Sequence, residues 1–134
     1  MTTDVSSARS LRVLAESPVS DAPAIDPVTM EWYRTLNAEF VGMLIDEFLA
    51  EAPRRLRALR VASVTGDVAA LESEAHAFKG SARVLGATPL ADLCAVLEHT
   101  PGVDDGARAH VEAIEAEAWR VREALEMVRP PRAR

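Results

Sequence analysis

The chain has 134 residues, of which 49% are hydrophobic and 4% aromatic, and its net charge at pH 7 is −6. This length and composition predict one domain with a core packed mainly by aliphatic side chains. The negative charge disfavours nucleic acid and anionic membrane surfaces, because both bind basic protein surfaces. A single cysteine excludes an internal disulfide. With no signal peptide and no apolar run of about 20 residues, the sequence predicts a cytoplasmic protein.

Both ends of the chain are predicted to be tails. Residues 1–25 are rich in Ser, Thr, Asp, Ala and Pro, and their only apolar cluster consists of Leu11, Val13 and Leu14. This composition predicts disorder, and a short helix that docks on the body is the alternative. Residues 129–134 contain two consecutive prolines, which cannot continue a helix. The folded domain is therefore predicted to span residues 26–128.

A short leader helix is predicted at the start of the domain. Asp26 is a typical cap residue and Pro27 a typical first helical residue, so the leader is expected to begin there and to run to about Leu36. It carries Trp32 and Tyr33. These two aromatic side chains are expected to cover one end of the folded body, and the alternative is that they belong to a docking surface.

Longer amphipathic helices follow the leader. The second helix, from about Asn37 to Val64, has an apolar stripe that continues beyond Pro53, so the proline should bend the helix rather than end it. Gly66 is predicted to end this helix. Asp67 is predicted to cap a third helix that runs from about Val68 to Leu85.

Turn and cap residues also delimit the last two helices. Gly86 is predicted to end the third helix, Thr88 to cap the fourth, and Pro101-Gly102 to break it. Asp104 or Asp105 should open the last helix. Four amphipathic helices with short loops bury their apolar stripes most economically against one another. The predicted fold is all-α: an antiparallel up-down-up-down four-helix bundle with a short N-terminal leader helix.

One histidine of the third helix lies away from its apolar face. At about 100° per residue, His76 lies nearly opposite the core side chains. Lys79, the only lysine of the chain, and the mid-helix Gly80 lie near it. An imidazole nucleophile, a nearby cation and a cleared backbone suit phosphoryl transfer. On spacing alone, a simply solvated surface histidine is the more frequent explanation.

Residues 76–87, HAFKGSARVLGA, resemble the signature of histidine-containing phosphotransfer (HPt) domains. In that signature a hydrophobic residue, Lys-Gly-Ser and a Leu-Gly-Ala helix end follow the histidine. The similarity extends to Phe48–Leu56, to Gly66-Asp67 and to Leu90–Glu98, so that it covers about residues 26–128. The chain departs from the family at Phe78, where Leu is more frequent, and in the tail before residue 26.

The resemblance implies a role for each residue of the motif. His76 would be the phosphoacceptor, Lys79 would steady the phosphoryl oxygens, and Gly80 would give a partner steric access. Family members take the phosphoryl group from the aspartate of a receiver domain and pass it to another receiver. Receiver domains of hybrid histidine kinases and response regulators are therefore the expected partners.

Further expectations concern cofactors and the surface. Because Mg²⁺ belongs to the receiver, the chain should need no cofactor or metal, and without a nucleotide-binding segment it should lack ATP-dependent kinase activity. Arg54, Arg57 and Arg83 are the candidates for partner binding, and an ordinary charged surface is the alternative for each. Ser81 is assigned local packing or hydrogen bonding and no catalytic role.

The sequence thus predicts a stand-alone, monomeric phosphotransfer intermediate of a multistep two-component phosphorelay. The alternative is a helical adaptor that binds a signalling protein without moving phosphate. A metal site is disfavoured: His76 lies mid-helix and His99 lies at a helix end, so the three histidines are not expected to converge. Cys94 lies on an apolar stripe and indicates a small buried side chain.

Overall fold

A computed structural model of the chain describes residues 22–99, 102 and 104–129. Residues 1–21 and 130–134, which make up most of the two predicted tails, lie outside these ranges, as does Pro101. Within the described part, none of the helices is long and apolar enough to cross a membrane.

The described residues form five helices and no strand. The helices are α1 (Pro27–Leu36), α2 (Ala38–Thr65), α3 (Val68–Val84), α4 (Thr88–Glu98) and α5 (Asp105–Val128). Each of the four helices α2 to α5 packs against two others in a closed ring, in the order α2, α3, α4, α5, while α1 lies against α2. The predicted all-α four-helix bundle with a leader helix is confirmed.

The packed body begins just before α1. Ala24 and Ile25 are both buried in the core, so the folded part extends two residues beyond its predicted start at Asp26. The Asp26 carboxylate caps α1 by accepting hydrogen bonds from the Val28 N–H at 3.1 Å and from the Thr29 hydroxyl at 2.9 Å. This double cap fixes the direction in which α1 leaves the core.

Predicted cap residues start α3 and α5. Gly66 ends α2 in the left-handed conformation with φ of 76°, and the Asp67 carboxylate accepts the Ala70 N–H at 3.0 Å. At the start of α5, the Asp104 carboxylate accepts the Ala107 N–H, also at 3.0 Å. These bonds satisfy amides that have no partner within the helix.

The turn between α3 and α4 is tied to α1. Gly86 has φ of 73°, and a Cβ there would lie 3.0 Å from the Thr29 Cβ, so glycine is needed for both conformation and space. The Gly86 carbonyl accepts the Asp26 N–H at 2.8 Å. The prediction that Thr88 caps α4 is wrong. The turn is tight enough that Thr88 is already helical, and Ala87 takes the cap position without a side-chain hydrogen bond.

Aromatic side chains lie both in the core and on the surface. Phe48 and Phe78 stack with ring centroids 5.7 Å apart, and Phe78 is fully buried. Tyr33 packs against the core as expected, whereas Trp32 is 59% exposed and does not cover the bundle. Cys94 is buried, and this burial raises the pKa of its thiol to about 12. The thiol is therefore un-ionised at neutral pH.

Candidate functional site

The middle of α3 presents His76 to solvent. Its side chain is 69% exposed. The opposite face of the same helix is buried in the core through Leu71, Ala75, Phe78 and Ala82. Because these apolar side chains are held inside the bundle, the helix itself keeps the imidazole outside. The structure therefore places the ring on the face that the spacing predicts.

The carboxylate of Glu98, the last residue of α4, binds the imidazole. Its Oε2 lies 2.6 Å from Nδ1 of His76. The pKa of Glu98 is lowered, first by the hydrogen bond from Lys79 and then by that from His76, so the group is ionised at neutral pH. An ionised carboxylate can only accept, hence Nδ1 carries the proton in this contact. In the neutral ring, Nε2 then keeps its lone pair.

Lys79 binds the same carboxylate. Its Nζ donates to Oε1 of Glu98, so one acidic side chain holds both the imidazole and the ammonium group. The lysine side chain is only 13% exposed, which means that its position is fixed by packing as well as by charge. An ammonium group has three N–H donors. One is engaged by Glu98, and the others are available to an anion beside the ring.

Gly80 lies one turn beyond His76. A Cβ at this position would meet nothing within 4 Å. Packing inside the described bundle therefore does not require glycine here, although glycine destabilises a helix interior by about 0.5–1 kcal/mol relative to alanine. The absent side chain leaves the backbone beside the imidazole open.

A hydrogen-bond network links the other flank of α3 to α2. The Ser81 hydroxyl donates to Glu51 at 2.9 Å. Arg55 donates from Nε to Glu51 and from a guanidinium nitrogen to Glu74, each at 2.8 Å. Ser81 thus forms an interhelical hydrogen bond and is turned away from the imidazole, in keeping with the local role assigned to it.

The three candidate arginines do not form one surface: Arg54 and Arg57 belong to α2, whereas Arg83 belongs to α3. Arg54 and Arg57 line an open hollow of about 440 Å³ together with Glu74. Residues two apart on a helix point about 200° apart, so this hollow lies on the α2 side, whereas His76 is bound on the α4 side. Arg83 shares the face of His76. None of the three arginine side chains has a hydrogen bond or ion pair within the described residues, and their role in partner binding stays a prediction.

Among the described residues, the side chains of the other two histidines form no hydrogen bond or ion pair with His76, Lys79 or Glu98. His99 is exposed at the end of α4. His110 Nε2 lies 2.8 Å from the Leu93 carbonyl oxygen. Among the residues that the structure describes, no group of three or more His, Cys, Asp or Glu side chains is arranged to hold a metal ion.

Sequence reasoning assigned no role to Glu98. It is 22 residues from His76, and neither the helical spacing nor the motif indicates that the two side chains meet. The only available signal was an acidic residue at the end of the helix expected to pack against α3. To pair Glu98 with His76 from the sequence, one would have to know how far α4 is shifted along α3, and that shift depends on the turn at Gly86.

We expect Glu98→Gln to lower the free energy of unfolding at neutral pH, because the amide cannot form the ion pair with Lys79. The pKa of Glu98 is lowered below 4.5 in the folded protein. The stabilising effect of the carboxylate is therefore fully present above the pKa that Glu98 has in the unfolded chain. It is lost as the pH falls through the pKa that Glu98 has in the folded protein. In urea titrations, the difference in free energy of unfolding between the parent and Glu98→Gln should become smaller as the pH is lowered into the acid range.

The exposed Glu112, which has no ion pair within the described residues, provides a matched control for this titration. Glu112→Gln should change the free energy of unfolding little at any pH. A gap for Glu98→Gln that stays constant from neutral pH into acid would show that the carboxylate charge does not stabilise the fold.

Fold and site together define a class of protein: a four-helix bundle that presents an exposed histidine from the middle of one helix, beside a fixed cation. The Hpt domain family matches residues 43–129 of the chain. The chain belongs to this family, as its motif predicts. It is a histidine phosphotransfer protein of two-component signalling, and such proteins are phosphotransfer intermediates rather than kinases.

A solved structure supports the assignment. The crystal structure of histidine-containing phosphotransfer protein B (HptB) from Pseudomonas aeruginosa PAO1 is similar, with a TM-score of 0.76 and 33% sequence identity. The similarity covers 81% of this chain and 96% of that chain. A comparison with curated proteins finds no match.

Proposed function

We propose that this chain is a stand-alone phosphotransfer protein that accepts a phosphoryl group on Nε2 of His76 from the aspartate of one receiver domain and passes it to another. The observation that carries the proposal is the contact between Glu98 and Nδ1. It fixes the tautomer in which Nε2 is the nucleophilic nitrogen, on a side chain that is 69% exposed.

The transfer conserves the phosphoryl group. The Nε2 lone pair attacks the phosphorus of the aspartyl phosphate, an N–P bond forms, and the P–O bond to the aspartate breaks, which releases its carboxylate. In the second transfer, an aspartate oxygen of another receiver attacks the same phosphorus and the N–P bond breaks. The phosphorylated ring is more positive than the free ring, and the Glu98 carboxylate stabilises that charge through Nδ1.

Neighbouring groups complete the proposed site. The free N–H donors of Lys79 reach phosphoryl oxygens next to His76, since both side chains bind the same carboxylate. Gly80 lets the receiver approach the ring. We further propose that the protein acts as a cytoplasmic monomer, that Mg²⁺ is held by the receiver, and that the chain does not phosphorylate itself from ATP.

Phosphoryl transfer from a labelled receiver tests this function. The protein is mixed with purified receiver domains that carry a radioactive phosphoryl group, in the presence of Mg²⁺. We expect at least one receiver to label the chain, and the label to be acid-labile and to map to the peptide containing His76. Stable binding of a phosphorylated receiver without any labelling would instead support the adaptor alternative.

We expect Gly80→Ala to have opposite effects on stability and on transfer. Since the new Cβ meets nothing within 4 Å, the free energy of unfolding should rise by about 0.5–1 kcal/mol. The same Cβ stands where the receiver must approach, so the rate of labelling should fall. Urea unfolding and the labelling time course measure the two effects.

Gly42 offers a matched control in α2, because a Cβ there also meets nothing within 4 Å. Gly42→Ala should stabilise the protein by a similar amount and leave the labelling rate unchanged. Equal labelling rates for Gly80→Ala and the parent would remove the role assigned to Gly80 in partner access.

A further inference from the structure

A second feature lies on the opposite side of the bundle from His76. A groove of about 240 Å³ runs between α2 and α5. Its apolar lining includes Phe48, Leu49 and Leu56 on α2. On the α5 side it includes Trp119, which is 57% exposed. A half-exposed indole at the edge of an apolar groove leaves a surface that binding of another segment would cover.

Polar groups at this groove define what it can bind. The guanidinium of Arg122 lies 5.2 Å from the centroid of the Trp119 ring, and the exposed Glu126 lies four residues further along the same wall. The groove also contains Pro53, which has no N–H to donate to the Leu49 carbonyl one turn earlier. Glu115 also lines the groove, but its carboxylate is paired with Arg60. The groove therefore suits a segment that combines apolar side chains with one positive and one negative charge.

The described chain begins close to this wall of the groove. Arg120 on α5 donates to the Ala22 carbonyl at 3.0 Å and to the buried Glu117 at 2.8 Å. Arg120 adjoins Trp119 in sequence, so the described chain starts beside the outer surface of α5. Leu14 lies eight residues before Ala22, a span of roughly 26 Å when extended, which is about twice the 10–12 Å width of a helix.

We propose that residues 11–16 of this chain dock in the groove between α2 and α5. In a helical turn, Leu11 and Leu14 lie on one face and would pack against Trp119 and the apolar wall of α2. Arg12 and Glu16 have the same spacing and the same order of charges as Arg122 and Glu126. An antiparallel pairing would therefore set Arg12 against Glu126 and Glu16 against Arg122. Because the segment is part of the same chain, its effective concentration is in the millimolar range, so even weak binding is populated.

Two tryptophans of similar exposure make the proposal testable in the full-length protein. The indole N–H resonances of Trp119 and Trp32 are compared by NMR in the parent and in the variant L11S/L14S. We expect the Trp119 resonance to shift and that of Trp32 to stay. In a Trp32→Phe background, acrylamide should quench Trp119 up to about twofold more strongly in L11S/L14S than in its parent. This is the expected size if the intrinsic Kd of the segment is also about millimolar, so that the segment is docked about half the time.

The variant V5S/V19S provides the control, since it removes two apolar side chains from the same tail but outside the docking segment. It should leave both indole resonances and the quenching unchanged. Three results would overturn the proposal: no response of Trp119 to L11S/L14S, an equal response to V5S/V19S, or a response that disappears on dilution. The last would identify a second copy of the chain as the occupant. Labelling of His76 does not enter this test, because the groove lies on the other side of the bundle.

Discussion

His76→Gln is expected to reduce labelling by a phosphorylated receiver to background. Glutamine has no imidazole nitrogen to attack phosphorus, whereas its amide N–H can still donate to Glu98. Because the side chain is 69% exposed, the substitution should leave helicity and the free energy of unfolding nearly unchanged. Radiolabelling, circular dichroism and urea unfolding on the same preparation separate loss of the acceptor from loss of the fold.

The chain provides a control for this loss. His99 is also exposed and lies at the end of the neighbouring helix α4. His99→Gln should therefore leave both the rate and the extent of labelling at the parent level. If labelling survived in His76→Gln and were lost in His99→Gln, the acceptor would be the histidine at the end of α4, and our assignment of the acceptor to α3 would be wrong. The third histidine, His110, is half-buried beside the Leu93 carbonyl.

The largest loss of stability is expected from Phe78→Ala. Phe78 is fully buried and stacks on Phe48 at 5.7 Å, so truncation removes apolar contacts from both α2 and α3 and leaves a cavity. Such a change costs about 3–5 kcal/mol. This is a large share of the roughly 5–15 kcal/mol by which domains of this size are stable. Urea unfolding should show a correspondingly lower midpoint.

Two further variants test whether Phe78 contributes to stability through its burial and has no part in phosphoryl transfer. Phe78→Leu introduces the residue that the family more often has, and it should cost less than about 2 kcal/mol while His76 is still labelled. Phe40→Ala removes an aromatic ring that is 39% exposed and should also cost clearly less than Phe78→Ala. Equal losses for the two alanine variants would contradict the assignment of Phe78 to the core.

Most of the fold follows from local signals in the sequence. The outward position of His76 follows from the apolar spacing of α3, since Leu71 and Phe78 must face inward. Asp26 begins α1 because its carboxylate accepts an N–H of the first turn, and Gly66 ends α2 because it adopts the left-handed conformation. Both effects are local and do not depend on what the helices pack against. These features depend on the nearest few residues, and for that reason the sequence alone predicts them.

The contacts between helices could not be predicted in the same way. That Glu98 reaches both His76 and Lys79 depends on how far α4 is displaced along α3, which a tight turn at Gly86 decides. The exposure of Trp32 likewise depends on the angle at which α1 crosses the bundle. Helical spacing gives the face of each helix but neither its shift along its neighbour nor the crossing angle.

Because α3 is bound by polar contacts on both flanks, its rotation about its own axis is restricted. A rotation of about 20° would move an atom 6 Å from the helix axis by roughly 2 Å, enough to break hydrogen bonds to Glu51 on one side and to Glu98 on the other. The direction of the His76 ring is thus set jointly by two neighbouring helices. Substitutions in either neighbour should therefore change the angle at which the imidazole meets an incoming phosphorus atom.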